Sequence, residues 1–106
     1  MKQTIKYETG ATSHAVNDLI LFTDNTRELA ELRDYVYTGI INNEIEHGKE
    51  WENFGELFRA AKIAYKKELG NSNSLHIIQM DANQIEEYCR LYANDFTSWK
   101  KEHGYN

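Results

Sequence analysis

"EWENFGELFRAAKIAYKKELG", residues 50–70, is the stretch that decides the fold. Its large apolar side chains recur at alternating steps of three and four residues, the spacing of one face of an α-helix. These positions are Trp51, Phe54, Phe58, Ala61 and Tyr65. Gly70 follows the last helical position, where a left-handed residue closes many helices. The stretch therefore predicts a long amphipathic helix, the third of the chain, that ends at a glycine cap.

The C-terminal segment predicts a second long helix that packs against the first. Asp81 and Gln84 have the spacing of a capping box, which marks a helix start. The apolar stripe that follows consists of Ile85, Tyr88, Tyr92, Phe96 and Trp99. Because large aromatic residues dominate core energetics, we expect the third and last helices to form the main packing pair.

Two shorter helices are predicted in the N-terminal half. "HAVNDLILF", residues 14–22, carries an apolar stripe and can be capped by Thr12 or Ser13. After the polar "TDNT", Asn25 and Glu28 have capping-box spacing. They precede a helix with Leu29, Leu32, Val36 and Ile40 on one stripe, which is expected to end between residues 41 and 46.

Two segments favour extended structure. "KQTIKYE", residues 2–8, alternates with a period of two and predicts a short strand. "LHIIQM", residues 75–80, is interpreted either as a second strand or as a buried turn that enters the last helix. The expected fold is thus mainly α, with four helices in the order β-α-α-α-β-α, or α+β if the two strands form a ribbon. No linker divides the chain, so residues 1–106 are expected to form one compact domain.

Composition indicates a small soluble protein. The 106 residues are 41% hydrophobic and 27% charged, with a net charge of −5. The single cysteine, Cys89, excludes an internal disulfide and fits a reducing compartment. No apolar run is long enough to cross a bilayer, and the N-terminus lacks the apolar core of a signal peptide. We therefore expect a cytoplasmic protein with no membrane association.

Catalytic and metal-binding motifs are weak. Glu44 and His47 have the Glu-x-x-His spacing of carboxylate-bridged metal sites, but such a site needs a second copy that this chain lacks. The remaining histidines are scattered along the sequence. Ser13 beside His14 is explained by helix capping, and Cys89 by partial burial in the last helix. The expectation is a non-enzymatic protein with no catalytic residues, no metal and no cofactor.

A basic stretch in the third helix supports an alternative function. Arg59, Lys62, Lys66 and Lys67 could contact phosphates, which would make the protein a nucleic-acid-binding regulator. The negative net charge and the absence of a glycine-rich phosphate loop make direct nucleic-acid binding the less favoured interpretation. A solvated charged helix face explains the same residues.

The favoured hypothesis is a protein-interaction module, because exposed tyrosine is typical of interfaces. Tyr35 and Tyr37 stand two apart on a helix, so one of them should point away from the surface that buries the other. Glu44, Glu46 and His47 lie where no helix dipole explains their charges. These five residues are the predicted partner-binding set.

The expected partner is a protein with a basic surface, bound by a small acidic inhibitor or adaptor. One specific version is a phage or mobile-element protein of the anti-restriction or anti-CRISPR type that acts on a host nucleic-acid enzyme. A homo-oligomer stays open as well, since the aromatic stripes are wider than one small core needs.

Overall fold

The computed structural model describes residues 7–42 and 50–104, and the regular secondary structure within these ranges is all helical, with no strand. Five α-helices and one short 3₁₀ turn (Ser72–Ser74) follow one another: α1 His14–Asn25, α2 Arg27–Ile41, α3 Glu50–Leu69, α4 Leu75–Ile78 and α5 Ala82–Glu102. The prediction of a mainly α fold is confirmed. None of the helices in the described ranges has the length and apolar character needed to span a membrane.

Helix α3 is the centre of the packing, as its sequence pattern predicts. Phe54, Phe58, Ala61 and Tyr65 are buried, and the helix contacts α1, α2 and most extensively α5. The chain leaves the helix at Gly70, whose φ is +80° and whose N–H donates to the Lys66 carbonyl oxygen at 2.8 Å. Both the apolar face and the glycine cap are therefore confirmed, while the side chain of Trp51 lies outside the described part of the chain.

Helix α5 begins at the capping box that the sequence predicts. The Asp81 carboxylate accepts from the Gln84 N–H at 2.9 Å, and the Gln84 side chain accepts from the Asp81 N–H at 2.9 Å. Tyr88 and Tyr92 are buried, and Ile85, Phe96 and Trp99 pack against the core from its margin. The prediction that the third and last helices form the main packing pair is confirmed.

The junction between α1 and α2 differs from the prediction. Asn25 is the last residue of α1 and Thr26 is the N-cap of α2, so the predicted Asn25–Glu28 capping box is wrong. Helix α1 continues past Phe22 because Thr23 is fully buried and fits the helix. Its hydroxyl donates to the Leu19 carbonyl oxygen at 2.7 Å and lies 2.9 Å from the Tyr88 hydroxyl.

The predicted second strand is wrong, since residues 75–78 form the short helix α4. Ile77 and Met80, three residues apart, are both buried, whereas Leu75 is exposed. Helical spacing brings the first two to the core together, which strand alternation would not do. The alternative of a buried turn entering the last helix is closer, and α4 raises the helix count from the predicted four to five.

The predicted first strand falls mostly outside the described residues, and the part that is described turns. Tyr7 N–H donates to the Ala11 carbonyl oxygen at 2.9 Å, and Gly10 N–H donates to the Tyr7 carbonyl oxygen at 2.8 Å. Gly10 has a φ of +90°, and a Cβ there would lie 3.1 Å from Leu91 Cδ2. Glycine is therefore required both by the backbone conformation and by the close approach to α5.

A buried carboxylate anchors the N-terminus of α1 to α5. Glu87 accepts from the Thr12 N–H at 3.0 Å and from the Thr12 hydroxyl at 2.6 Å. Ser13 then caps the helix by accepting from the Val16 N–H at 3.3 Å, which confirms one of the two predicted caps. A carboxylate at this place suits the positive end of the helix dipole. The first turn of α1, which carries His14, is held in a fixed position as a result.

Candidate functional site

The outward side of α2 presents a polar stripe with one aromatic residue at its middle. We call it the α2 face; it consists of Glu28, Glu31, Tyr35, Thr38 and Asn42, all exposed. Their steps of three and four residues place them on one side of the helix. Tyr35 is 71% exposed. Its ring is the largest side chain that α2 offers to solvent.

Charges on and beside the α2 face are partly paired. Arg27 Nε lies 3.0 Å from Glu31 Oε1, in a pair that is exposed on both sides. Arg33 is turned away from the face, with its guanidinium 2.9 Å from Asp24 and 3.1 Å from Asp34. The cation of Arg33 thus joins α1 to α2. The face itself presents two glutamates, of which Glu31 is paired with the neighbouring Arg27.

Tyr37 stands on the opposite side of α2 and is fully buried. Its hydroxyl donates to the Tyr92 carbonyl oxygen at 3.0 Å and to Asp95 Oδ2 at 2.8 Å. Burial, together with the nearby Asp95 carboxylate, raises the pKa of the Tyr37 hydroxyl. The two tyrosines do point to opposite sides, and the buried position of Tyr37 removes its ring from the surface offered to a partner. Of the two tyrosines, Tyr35 is therefore the one whose ring could contact a partner.

The other three predicted partner-binding residues lie outside the described ranges. Glu44, Glu46 and His47 all fall within residues 43–49. Their role stays a prediction, and Tyr35 is the member of the set that the described part of the chain places at the surface.

The basic stretch of α3 is partly covered and partly paired. Arg59 forms an ion pair with Glu56 one helical turn away. Lys62 and Lys66 are half-buried, and Lys67 lines a groove together with acidic residues of α2 and α3. These neighbours reduce the positive field that a nucleic-acid backbone would meet.

A cavity of about 230 Å³ lies between the N-terminal loop, α1 and α5, and its lining residues include the acidic Glu8, Asp24 and Asp95. Asp24 Oδ1 accepts from the Tyr92 hydroxyl at 2.8 Å and from Arg33 Nη1 at 2.9 Å. Asp95 is the acceptor for the buried tyrosine of α2 described above. Since two of the three carboxylates already hold helices together, the cavity is part of the packing.

The thiol of Cys89 is also part of the packing. The residue is buried on α5, and burial raises the pKa of the thiol to about 11. The thiolate is the nucleophilic form of cysteine, and this environment suppresses it. The interpretation of Cys89 as a packing residue is therefore supported by its position.

Three side chains from two helices meet at the first turn of α1. His14 Nε2 lies 3.1 Å from Asp18 Oδ2, and His76 Nε2 lies 3.0 Å from the same oxygen. The two imidazole rings are stacked with their centroids 5.5 Å apart. We call these residues the His14–Asp18–His76 cluster. The possible metal-ligating atoms of these three side chains all lie within 4.8 Å of one another. Among the described residues, no other three histidine, cysteine or acidic side chains come together in this way.

His14 is the exposed member of the cluster, whereas Asp18 and His76 are more buried. The side chain of His14 is 67% exposed, that of His76 is 33% exposed and that of Asp18 is 27% exposed. Tyr65 of α3 backs the cluster from the core side, with its hydroxyl 3.4 Å from His76 Nε2 and its ring edge-on to the imidazole. Burial, with Asp18 nearby, raises the pKa of the Tyr65 hydroxyl. The cluster therefore has a fixed inner wall and an open outer side.

The sequence interpretation missed this cluster. "HAVND" does place His14 and Asp18 one helical turn apart, which is a usable local signal. His76 follows Asp18 after 58 residues, and its approach depends on α4 being a helix. Treating residues 75–80 as a strand hides that approach, so the histidines look scattered.

Comparisons of the chain with protein-family models, with curated proteins and with solved structures find no match.

Proposed function

We propose that the protein is a non-enzymatic interaction module that binds another protein through the α2 face. The observation that carries this proposal is the position of Tyr35, whose ring is 71% exposed in the middle of the face. Tyrosine is enriched at protein interfaces because it offers a large, rigid contact area at little cost in conformational entropy.

The scaffold under the face supports the same function. The inner side of α2 is held by buried Leu29, Val36 and Tyr37, so the helix presents Tyr35 from a rigid support. A rigid support reduces the entropy that is lost when a partner binds. Helix α2 is packed against the core on one side and presents a tyrosine on the other, and such a tyrosine can insert into a pocket on a partner's surface.

Charge favours a partner with a basic surface. The chain carries a net charge of −5, and Glu28 and Glu31 flank the N-terminal side of Tyr35. Charges of this kind speed association and make it salt-sensitive, while the buried aromatic contact contributes most of the affinity. A cytoplasmic inhibitor or adaptor has these properties, and a mobile-element protein acting on a host nucleic-acid enzyme is one specific case.

Site-specific photo-crosslinking tests the proposal. A photoreactive phenylalanine analogue is placed at position 35 in one variant and at position 63 in another, and both are irradiated in lysate of the native host. Ile63 on α3 is a matched control, since it is 67% exposed on a different helix. We expect a defined protein adduct from position 35 and none from position 63. Adducts from position 63 alone, or no protein adduct from position 35, would refute the proposal.

A charge-matched pair of variants tests the electrostatic part. Glu28→Gln with Glu31→Gln removes two charges from the α2 face, and Glu86→Gln with Glu102→Gln removes two exposed charges from α5. With the partner identified by crosslinking, the first pair is expected to slow association and flatten its salt dependence. Equal effects from both pairs would mean that net charge alone matters and that the face has no special role.

The alternative of a nucleic-acid-binding regulator uses α3 and is separated by the same experiment. If this alternative is correct, the photoreactive residue at position 63, beside Arg59 and Lys66, should form adducts with DNA or RNA. The pairing of Arg59 with Glu56 and the partial burial of Lys66 make it the weaker candidate.

A further inference from the structure

We propose that the His14–Asp18–His76 cluster binds a divalent transition-metal ion, with Zn²⁺ as the best-matched ion and a water molecule in the fourth coordination position. Two imidazole nitrogens and one carboxylate oxygen are a ligand set that suits zinc. Calcium and magnesium prefer sets made of oxygen alone. The site is separate from the α2 face, because its three residues lie on α1 and α4.

Distances in the cluster are close to those a bound ion would impose. Ligands that lie about 2.0–2.1 Å from a tetrahedral zinc ion are separated from one another by about 3.3 Å. The nitrogens of His14 and His76 lie 3.1 and 3.0 Å from Asp18 Oδ2. The ligand atoms all lie within 4.8 Å of one another, so the longest separation needs to close by up to about 1.5 Å. His14 is mostly exposed and can supply that movement by rotation of its side chain.

The inner ligands are held in place by neighbours that are themselves buried. Tyr65 is buried on α3, and its ring meets the His76 imidazole edge-on with a centroid separation of 5.7 Å. Ile77, the next residue of α4, is fully buried and fixes the short helix against the core. His76 therefore approaches Asp18 from a second element, which a surface pair within one helix would not achieve.

The open side of the cluster determines what kind of metal site it is. A structural zinc site is closed by four protein ligands, whereas three protein ligands leave one position for water. His14 is 67% exposed, so solvent reaches this side of the cluster. A bound ion would also tie α1 to α4, and the folded protein should become more resistant to heat when metal is added.

The alternative is a metal-free cluster in which protonated imidazole nitrogens of His14 and His76 donate hydrogen bonds to the Asp18 carboxylate. Imidazole N–H groups that donate to a carboxylate give nitrogen–oxygen separations similar to those observed. The two states differ in whether added metal binds with one-to-one stoichiometry through these three residues.

Calorimetric titration of the untagged, chelator-treated full chain with zinc chloride tests the proposal, and cobalt chloride reports the geometry through its visible absorption. We expect one ion per chain, a tetrahedral cobalt spectrum and a rise in the thermal midpoint. His14→Ala is the main variant because its side chain is 67% exposed, so the substitution is expected to leave the fold intact. Loss of a group that only supports a ligand weakens metal affinity by about 10- to 100-fold, so loss of the ligand should weaken it at least as much.

Asp18→Asn and His76→Ala should weaken binding to a similar extent, and circular dichroism checks that these variants fold. His103→Ala is the matched control, because its exposed imidazole lies at the end of α5 and rests on Trp99. His47→Ala tests whether the remaining histidine contributes. No one-to-one binding, equal affinity in His14→Ala and the unmodified chain, or loss of binding in either control would overturn the proposal. None of these outcomes changes the crosslinking result at position 35, so the two proposals fail separately.

Discussion

Replacing Tyr37 by phenylalanine should destabilise the protein, whereas the same change at Tyr35 should not. The ring of Tyr37 packs against Phe96 and Trp99 with centroid separations of 5.1 and 5.3 Å, and phenylalanine retains those contacts. The change removes only the hydroxyl, which donates to Asp95 Oδ2 at 2.8 Å and to a backbone carbonyl of α5. A hydrogen bond to a charged group contributes roughly 1.5–3 kcal/mol.

Solvent reduces that figure, because Asp95 is exposed and water can replace the lost donor. We therefore expect Tyr37→Phe to lower the free energy of unfolding by about 1–2 kcal/mol. Tyr37→Ala also opens a cavity and should cost on the order of 3–5 kcal/mol. Tyr35→Phe should stay within about 0.5 kcal/mol of the unmodified protein, as is usual for surface changes.

Urea unfolding followed by circular dichroism measures these differences, with comparable slopes showing that the denatured states are comparable. If Tyr35→Phe lowers the free energy of unfolding as much as Tyr37→Phe, or if Tyr37→Phe leaves it unchanged, the placement of the two tyrosines on opposite sides of α2 is wrong. That placement underlies the α2 face, so this simple stability measurement bears directly on the proposed function.

Three further predictions concern the anchor of α1, two glycines and the buried thiol. Glu87→Gln should lower the free energy of unfolding by about 1–3 kcal/mol, since the amide replaces one of the two oxygens that accept from Thr12, and urea unfolding measures the loss. In the same assay, Gly10→Ala should destabilise by about 1–2 kcal/mol because of its positive φ and the nearby Leu91. Gly55→Ala adds a methyl group that meets no neighbouring atom in helix α3, so it should stabilise the protein by about 0.5–1 kcal/mol. If both glycine substitutions change the free energy of unfolding in the same direction, the described environment of one of the two glycines is wrong. Burial raises the pKa of Cys89 to about 11, so the folded state keeps a proton that the unfolded chain loses near pH 8.5. The stability contributed by this thiol is complete below pH 8.5 and should fall by roughly 3 kcal/mol as pH rises to about 11. In Cys89→Ala, the free energy of unfolding should decline less between pH 8.5 and 10 than in the unmodified protein. Identical pH profiles of the two proteins would contradict a raised pKa of the Cys89 thiol.

The long helices could be predicted from sequence because their signals are local and agree with one another. In α3 the apolar spacing, the length and the cap at Gly70 all indicate the same element. In α5 the capping residues Asp81 and Gln84 act within one turn. Local chemistry of this kind does not depend on the rest of the chain.

The junction of α1 and α2 could not be predicted in the same way. Asn25 and Glu28 have good capping-box spacing, but α1 runs through Asn25 because Thr23 fits a buried position beside Tyr88. The partner of Thr23 lies 65 residues away, so tertiary contact overrides a local signal that is worth about 1 kcal/mol.

The candidate sites likewise combine features that local sequence predicts with features that depend on tertiary contacts. Helical spacing predicted that Tyr35 and Tyr37 face opposite ways, but which of them is buried depends on how α2 packs against α3 and α5. The His14–Asp18–His76 cluster needs two elements to meet, and the sequence of one of them, residues 75–80, indicates either a strand or a buried turn and not a helix. Pairs within one helix are visible in a sequence, whereas a third ligand on another helix becomes visible only in the fold.

The dissociation constant of the partner complex, measured for Tyr35→Ala beside Ile63→Ala, tests the central claim most directly. Both residues are large, exposed and apolar in part, and they stand on different helices. Truncation of an interface tyrosine that anchors binding costs about 2 kcal/mol or more, so Tyr35→Ala should raise the dissociation constant by more than tenfold. Ile63→Ala should leave it nearly unchanged. Binding that is unaffected by Tyr35→Ala, or weakened equally by both changes, would contradict binding through the α2 face.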